Sequence, residues 1–103
     1  MFLFTPCWDE PFGLVAIEAM ACGLPVAGFG MGAAAEVIAE AGIIVPPNDV
    51  AALAAAIPGA MAMDRAIPRR RVLANFTRDI WLDGCERLYG RVRQGVREIQ
   101  LVE

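Results

Sequence analysis

Apolar residues along this chain fall in short blocks separated by glycine and proline, and short blocks alternate with longer ones. Phe2-Leu3-Phe4 reads as a short buried strand that stops at Thr5-Pro6. Trp8 to Phe12 is a loop, and Gly13 allows a sharp turn out of it. Leu14 to Cys22 is almost wholly apolar and predicts a helix, closed by Gly23 with Pro25 just beyond. Val26-Ala27 starts a second strand, Gly28 to Gly32 reads as a glycine-rich loop, and Ala33 to Ala39 as a second helix. Ile43-Ile44-Val45 is a third strand. Pro46-Pro47-Asn48-Asp49 is a turn, with Asp49 placed to cap a helix from Val50 that Pro58-Gly59 should break or end. From Asp79 onward, Trp81, Cys85, Leu88, Val92, Val96 and Ile99 share one stripe while Arg87, Arg91, Arg93 and Arg97 fall elsewhere. That is an amphipathic helix, weakened by Gly84, Gly90 and Gly95. Strands alternating with helices predict an α/β fold on a short parallel sheet. Residues 1–62 would form the α/β core and residues 63–103 the C-terminal helices.

At 103 residues the chain is one domain at most, with a small core. Charge is uneven. Residues 1–62 hold six acids and no base, whereas residues 63–103 hold six acids and nine arginines. There is no lysine and no histidine, so imidazole plays no part in any mechanism. Cys7, Cys22 and Cys85 have no metal-ligand spacing and form no even disulfide framework, which fits reduced thiols in a cytoplasmic protein. Met1 to Trp8 lacks the basic start and cleavage site of a signal peptide. Ala19 to Ala35 is uncharged over 17 residues, but its four glycines and Pro25 make it helix end, turn, strand and loop, not a membrane span. Arg69-Arg70-Arg71 lacks interleaved aromatics and reads as a solvated helix face, with no nucleic-acid role.

Two carboxylates carry the candidate chemistry: Glu10 before the turn and Glu18 on the helix, with seven residues between them. Glu18 has Leu14, Val15, Ala21 and Cys22 three and four positions away, so it is not part of a polar outer face. A carboxylate held among apolar neighbours needs partners. Its two oxygens suit the vicinal hydroxyls of a ribose, as in dinucleotide folds.

The run Glu10-Pro11-Phe12-Gly13-Leu14-Val15 continues into Glu18-Ala19-Met20-Ala21-Cys22-Gly23-Leu24-Pro25-Val26, then Gly32-Ala33-Ala34-Ala35-Glu36-Val37-Ile38 and Gly42 to Pro47. This pattern resembles the C-terminal, donor-binding domain of a retaining glycosyltransferase of family 4, a two-domain GT-B fold. Two departures are visible: Gly32-Ala33 stands where the family usually has two glycines, and Ala35 where it usually has proline. The resemblance implies a partial Rossmann-like three-layer domain. It implies transfer of a sugar from a nucleotide-sugar donor (UDP-, GDP- or ADP-linked) to an acceptor hydroxyl, with no further cofactor and no metal.

On this resemblance Glu10 faces the donor sugar. Phe12, Gly13, Leu14 and Val15 act through their backbones. Helix-start N–H groups lack internal partners and carry a partial positive charge, so they would meet the β-phosphate where no basic side chain lies near in sequence. Glu18 holds the ribose. Gly30 and Gly32 would either let backbone approach the ligand or simply give the loop its freedom, and Glu36 reads first as a first-turn residue favoured by the helix dipole and only second as a ligand. The family's acceptor-binding N-terminal domain, and the segment that supplies an Arg and a Lys to the diphosphate, have no counterpart here. The chain looks like the last part of such an enzyme and is expected to be inactive alone. Membrane contact would come only through the missing domain. The alternative is a non-catalytic nucleotide-sugar-binding or self-associating module.

Overall fold

The computed structural model describes residues 1–95. Three strands, β1 (Phe2–Phe4), β2 (Val26–Phe29) and β3 (Gly42–Val45), form one parallel sheet in the order β1-β2-β3. Phe2 pairs with Val26 and Val26 with Gly42, so β2 is central and buried throughout. A parallel strand covered on both faces needs an apolar run, and Val26-Ala27-Gly28-Phe29 supplies it.

Alternation along β2 assigns the two faces. Val26 joins a core with Phe4, Ala16, Met20, Ala34, Ile38 and Val72, built by α1 (Leu14–Ala21), α2 (Ala34–Ile38) and α4 (Ala66–Asn75). Ala27 and Phe29 join a second core with Val45, Leu53, Ala56 and Ala60, built by α3 (Val50–Ala62). Helix, sheet and helix make three layers, a partial Rossmann-like α/β fold. Among the described residues no single helix is long and apolar enough to cross a membrane.

The helix ends follow their local chemistry. Gly23 N donates to Met20 O and Leu24 N to Ala19 O, the paired bonds of a Schellman cap, with Gly23 at φ +77°. Asp49 Oδ1 accepts from Ala52 N at 2.9 Å at the start of α3. Ala33 precedes α2, which runs into a 3₁₀ turn at Ala39–Ala41.

Three expectations are corrected. The first is the Gly28 to Gly32 loop, of which Gly28 and Phe29 belong to β2. Gly28 pairs with Phe4, and a Cβ there would lie 2.6 Å from Phe4 O, so glycine is needed for space inside the sheet. The second is the break at Pro58. α3 runs through it to Ala62. Pro58 removes the donor for Ala54 O, but Ala54 and Pro58 are both exposed, so water can serve that carbonyl.

The third is part of the Arg69-Arg70-Arg71 run: Arg70 is exposed, as a solvated face would have it, but its two neighbours are hydrogen-bonded. Arg69 Nη1 donates to Ala21 O at 2.7 Å, and Arg71 donates to Val37 O and Glu36 O, each at 2.8 Å. Arg65 Nε donates to Gly23 O at 3.0 Å. These carbonyls lie at or just beyond the C-terminal ends of α1 and α2, where partial negative charge gathers. The arginines of the second half thus satisfy carbonyls of a first half that has no base.

The fifth helix, α5 (Arg78–Arg93), is capped by Thr77, whose Oγ1 accepts from Ile80 N. None of its residues is buried, and Trp81, Leu88, Tyr89 and Val92 face solvent. The stripe positions Val96 and Ile99, and Arg97, lie outside the described residues. β1 is an edge strand, and Leu3 is half exposed on it. An open parallel edge and an uncovered apolar stripe both favour association. The chain on its own is therefore expected to sediment as a dimer or larger species at micromolar concentration. A compact monomer with a sharp cooperative melt would show that these surfaces tolerate water.

Candidate functional site

The site is built where the β1–α1 loop turns into α1. Gly13 takes φ +99° and ψ +53°, a left-handed conformation that suits glycine and swings the chain into the helix. No side chain caps α1, and its first turn holds no acid. Gly13 O accepts from Ala16 N and Ile17 N. Leu14 N and Val15 N have no hydrogen-bond acceptor among the described residues. Two donors, with the positive end of the helix behind them, thus open toward solvent.

Both residues line a groove of about 530 Å³. Glu10, Phe12, Gly13, Leu14 and Val15 all line it, so five of the six predicted site residues come together. Glu10 is half buried, and its Cγ lies 3.7 Å from where a Gly13 Cβ would stand, which sets the side chain beside the helix start. Thr5, Pro6 and the exposed Trp8 complete much of the lining. Sequence reasoning assigned none of these three a role; an exposed tryptophan in a loop was the available signal.

Glu18 sits one turn further along α1, outside that lining. The expectation that it is held away from the surface is corrected: Glu18 is exposed and its carboxylate accepts no hydrogen bond among the described residues. The reason is that its apolar neighbours are themselves uncovered, Leu14 being 65% and Val15 54% exposed. An apolar flank marks a buried face only when something packs on it.

The glycine loop approaches protein backbone. Gly32 has φ +58°, and a Cβ there would collide with the backbone N and O of Glu10. Next to it, Ala33 N donates to Glu10 O at 2.7 Å. The approach expected toward a ligand is thus made to the loop that presents Glu10. Glu36 is exposed at the first turn of α2, and its carbonyl is engaged by Arg71. A second groove, about 740 Å³, adjoins the first through Phe12 and Leu14 and is lined also by Ile17, Phe76, Arg78 and Trp81. Among the described residues no three His, Cys, Asp or Glu residues gather as a metal site would require.

Residues 1–79 match the family described as glycosyl transferases group 1. The chain belongs to that family. Similar proteins include O-antigen chain mannosyltransferase B of Escherichia coli, 38% identical over 78 residues, which cover 74% of this chain and 20% of that protein. Glycogen synthase of Mycobacterium tuberculosis is 32% identical over 103 residues, covering 92% of this chain and 25% of that protein. D-inositol 3-phosphate glycosyltransferase of Mycobacterium avium is 34% identical over 104 residues, with 91% and 23% covered. The chain spans about a fifth to a quarter of the length of these relatives.

Proposed function

We propose that this chain is the donor-binding part of a retaining, family 4 glycosyltransferase of GT-B fold, acting in the cytoplasm. It would move a sugar from a nucleotide-sugar to an acceptor hydroxyl held by residues outside this chain. The observation that carries the proposal is the open start of α1, where Leu14 N and Val15 N lack acceptors beside Glu10 in one groove. The names of the relatives, a mannosyltransferase, a glycogen synthase and an inositol phosphate glycosyltransferase, support sugar transfer as the chemistry.

The donor's diphosphate lies at the two free N–H groups. As the glycosidic bond breaks, charge grows on the β-phosphate, and donors already aimed there stabilise it without reorganising. Glu10, beside the helix start, receives hydroxyls of the sugar and fixes its orientation. Glu18, one turn along the exposed side of α1, receives the ribose hydroxyls with both oxygens. Its exposure leaves those oxygens free for a ligand. Both carboxylates bind and orient; neither is assigned as a nucleophile.

The two assignments separate by mutation in the longest natural form of the protein. Glu18→Ala is expected to weaken free nucleoside diphosphate binding about tenfold to a hundredfold, because bonds to a charged acceptor are lost. Glu10→Ala is expected to leave that affinity near its original value and lower turnover of the intact donor about a hundredfold. Calorimetric titration with UDP, GDP and ADP, alongside donor turnover, reads both. Equal loss of free nucleotide affinity in the two variants refutes the division of roles.

A further inference from the structure

Arg71, Phe76 and Phe12 form a connected chain of contacts that ends at the turn into α1. The Arg71 side chain is only 16% exposed. Its Nε and Nη2 donate to Val37 O and Glu36 O at the end of α2, and its Nη1 lies 3.4 Å from Glu40 Oε2. With the guanidinium so fixed, its central carbon stands 5.4 Å from the centroid of the Phe76 ring, within cation–π range. Phe76 closes α4, its N–H donating to Val72 O at 2.8 Å. Its ring meets Phe12 edge to face, centroids 5.9 Å apart. Phe12 directly precedes Gly13, whose left-handed conformation aims the start of α1.

The same loop is held from its other side by α2. Ala33, at the N-terminal end of α2, donates to Glu10 O, and Arg71 grips the C-terminal end of the same helix. Glu10 and Phe12 are therefore anchored through one helix and one arginine. Phe12 is 43% exposed and belongs to neither buried core. Phe76, by contrast, packs against the first core, so its position is set by that core and its ring in turn meets Phe12 at the loop.

We propose that Phe76, braced by Arg71, is a positioning residue for the donor diphosphate: its ring against Phe12 fixes the turn at Gly13 and so the direction of Leu14 N and Val15 N. The inference rests on the donor site proposed above. A ring held by an anchored guanidinium over its face and by an edge-to-face contact with Phe12 cannot be replaced by an aliphatic side chain of similar bulk, whereas a tyrosine keeps the same face and edge.

The test uses the longest natural form of the protein with Phe76→Leu, Phe76→Tyr and, as a control on the exposed side of α4, Leu73→Ala. Amide resonances of Gly13, Leu14 and Val15 report the turn, and titration with UDP-, GDP- and ADP-sugars reports the site. Phe76→Leu is expected to move those amides and weaken donor binding about tenfold, whereas Leu73→Ala leaves both unchanged. Phe76→Tyr is expected to restore both. Unmoved amides in Phe76→Leu overturn the inference, as does moved amides with unchanged donor affinity, or a Phe76→Tyr as impaired as Phe76→Leu. If the unaltered protein binds none of the three donors, the donor site itself is refuted. Unmoved amides in a protein that does bind a donor refute the positioning role alone.

Discussion

Gly32→Ala is expected to destabilise the protein by about 3 kcal/mol and to disorder the presentation of Glu10. Two costs add. An alanine at φ +58° costs roughly 1–2 kcal/mol of backbone strain. Its Cβ also has nowhere to go, because the backbone N and O of Glu10 and the carbonyl carbon of Asp9 occupy the space. The 9–10 segment must retreat, which breaks the 2.7 Å bond from Ala33 N to Glu10 O and forfeits about 1 kcal/mol more. Thermal unfolding gives the stability change, on the order of 10–20 °C for a domain of this size. On the function proposed above, donor turnover by the longest natural form of the protein should fall at the same time, because Glu10 no longer stands beside Gly13. Gly30→Ala is the comparison: its φ is not positive, and its Cβ would lie 3.1 Å from Ile44 Cγ2, a tight contact with a side chain in place of the collision with backbone at Gly32, so its cost should be clearly smaller. A Gly32→Ala protein that melts and turns over like the unaltered one would mean that the two loops are not locked together.

Arg71→Ala is expected to cost a similar amount, about 3 kcal/mol, for a different reason. Two carbonyls at the end of α2, Glu36 O and Val37 O, lose charged donors, and Phe76 loses the cation over its face. The ion pair with Glu40 adds little, since the Glu40 side chain is 60% exposed and screened by water. Arg71→Lys should recover only part of the loss, because a single ammonium cannot reach two carbonyls and lie flat on a ring. Denaturant or thermal unfolding of the two variants distinguishes these cases. Full recovery by lysine would assign the effect to charge alone, and an Arg71→Ala within about 0.5 kcal/mol of the original would place the arginine among ordinary surface residues.

Local chemistry was legible in the sequence because its causes are local. A left-handed glycine ends α1, an aspartate caps α3, and a three-residue apolar run before Thr5-Pro6 makes β1. The alternation of short and long apolar blocks gave the parallel sheet, and the run from Glu10 to Val15 located the groove and the open helix start. None of this requires knowledge of what packs against what.

Where sequence reading failed, the deciding partner was distant along the chain. Gly28 looks like a loop residue until Phe4 is placed beside it as its strand partner. Glu18 looks sheltered by apolar neighbours until those neighbours prove uncovered. Arg69 and Arg71 look like a solvated face, yet they reach carbonyls 48 and 34 positions earlier, at helix ends that no base in their own half can satisfy. The sequence by itself determined the alternation of strands and helices, the caps at Gly23 and Asp49, and the residues that meet at the start of α1, because each depends on backbone preferences over a few neighbours. Tertiary structure alone decided which loop Gly32 supports, which ends the arginines cap and which ring steadies Phe12, because hydrogen bonds and contacts between distant segments exist only once the sheet has brought them within a few ångströms.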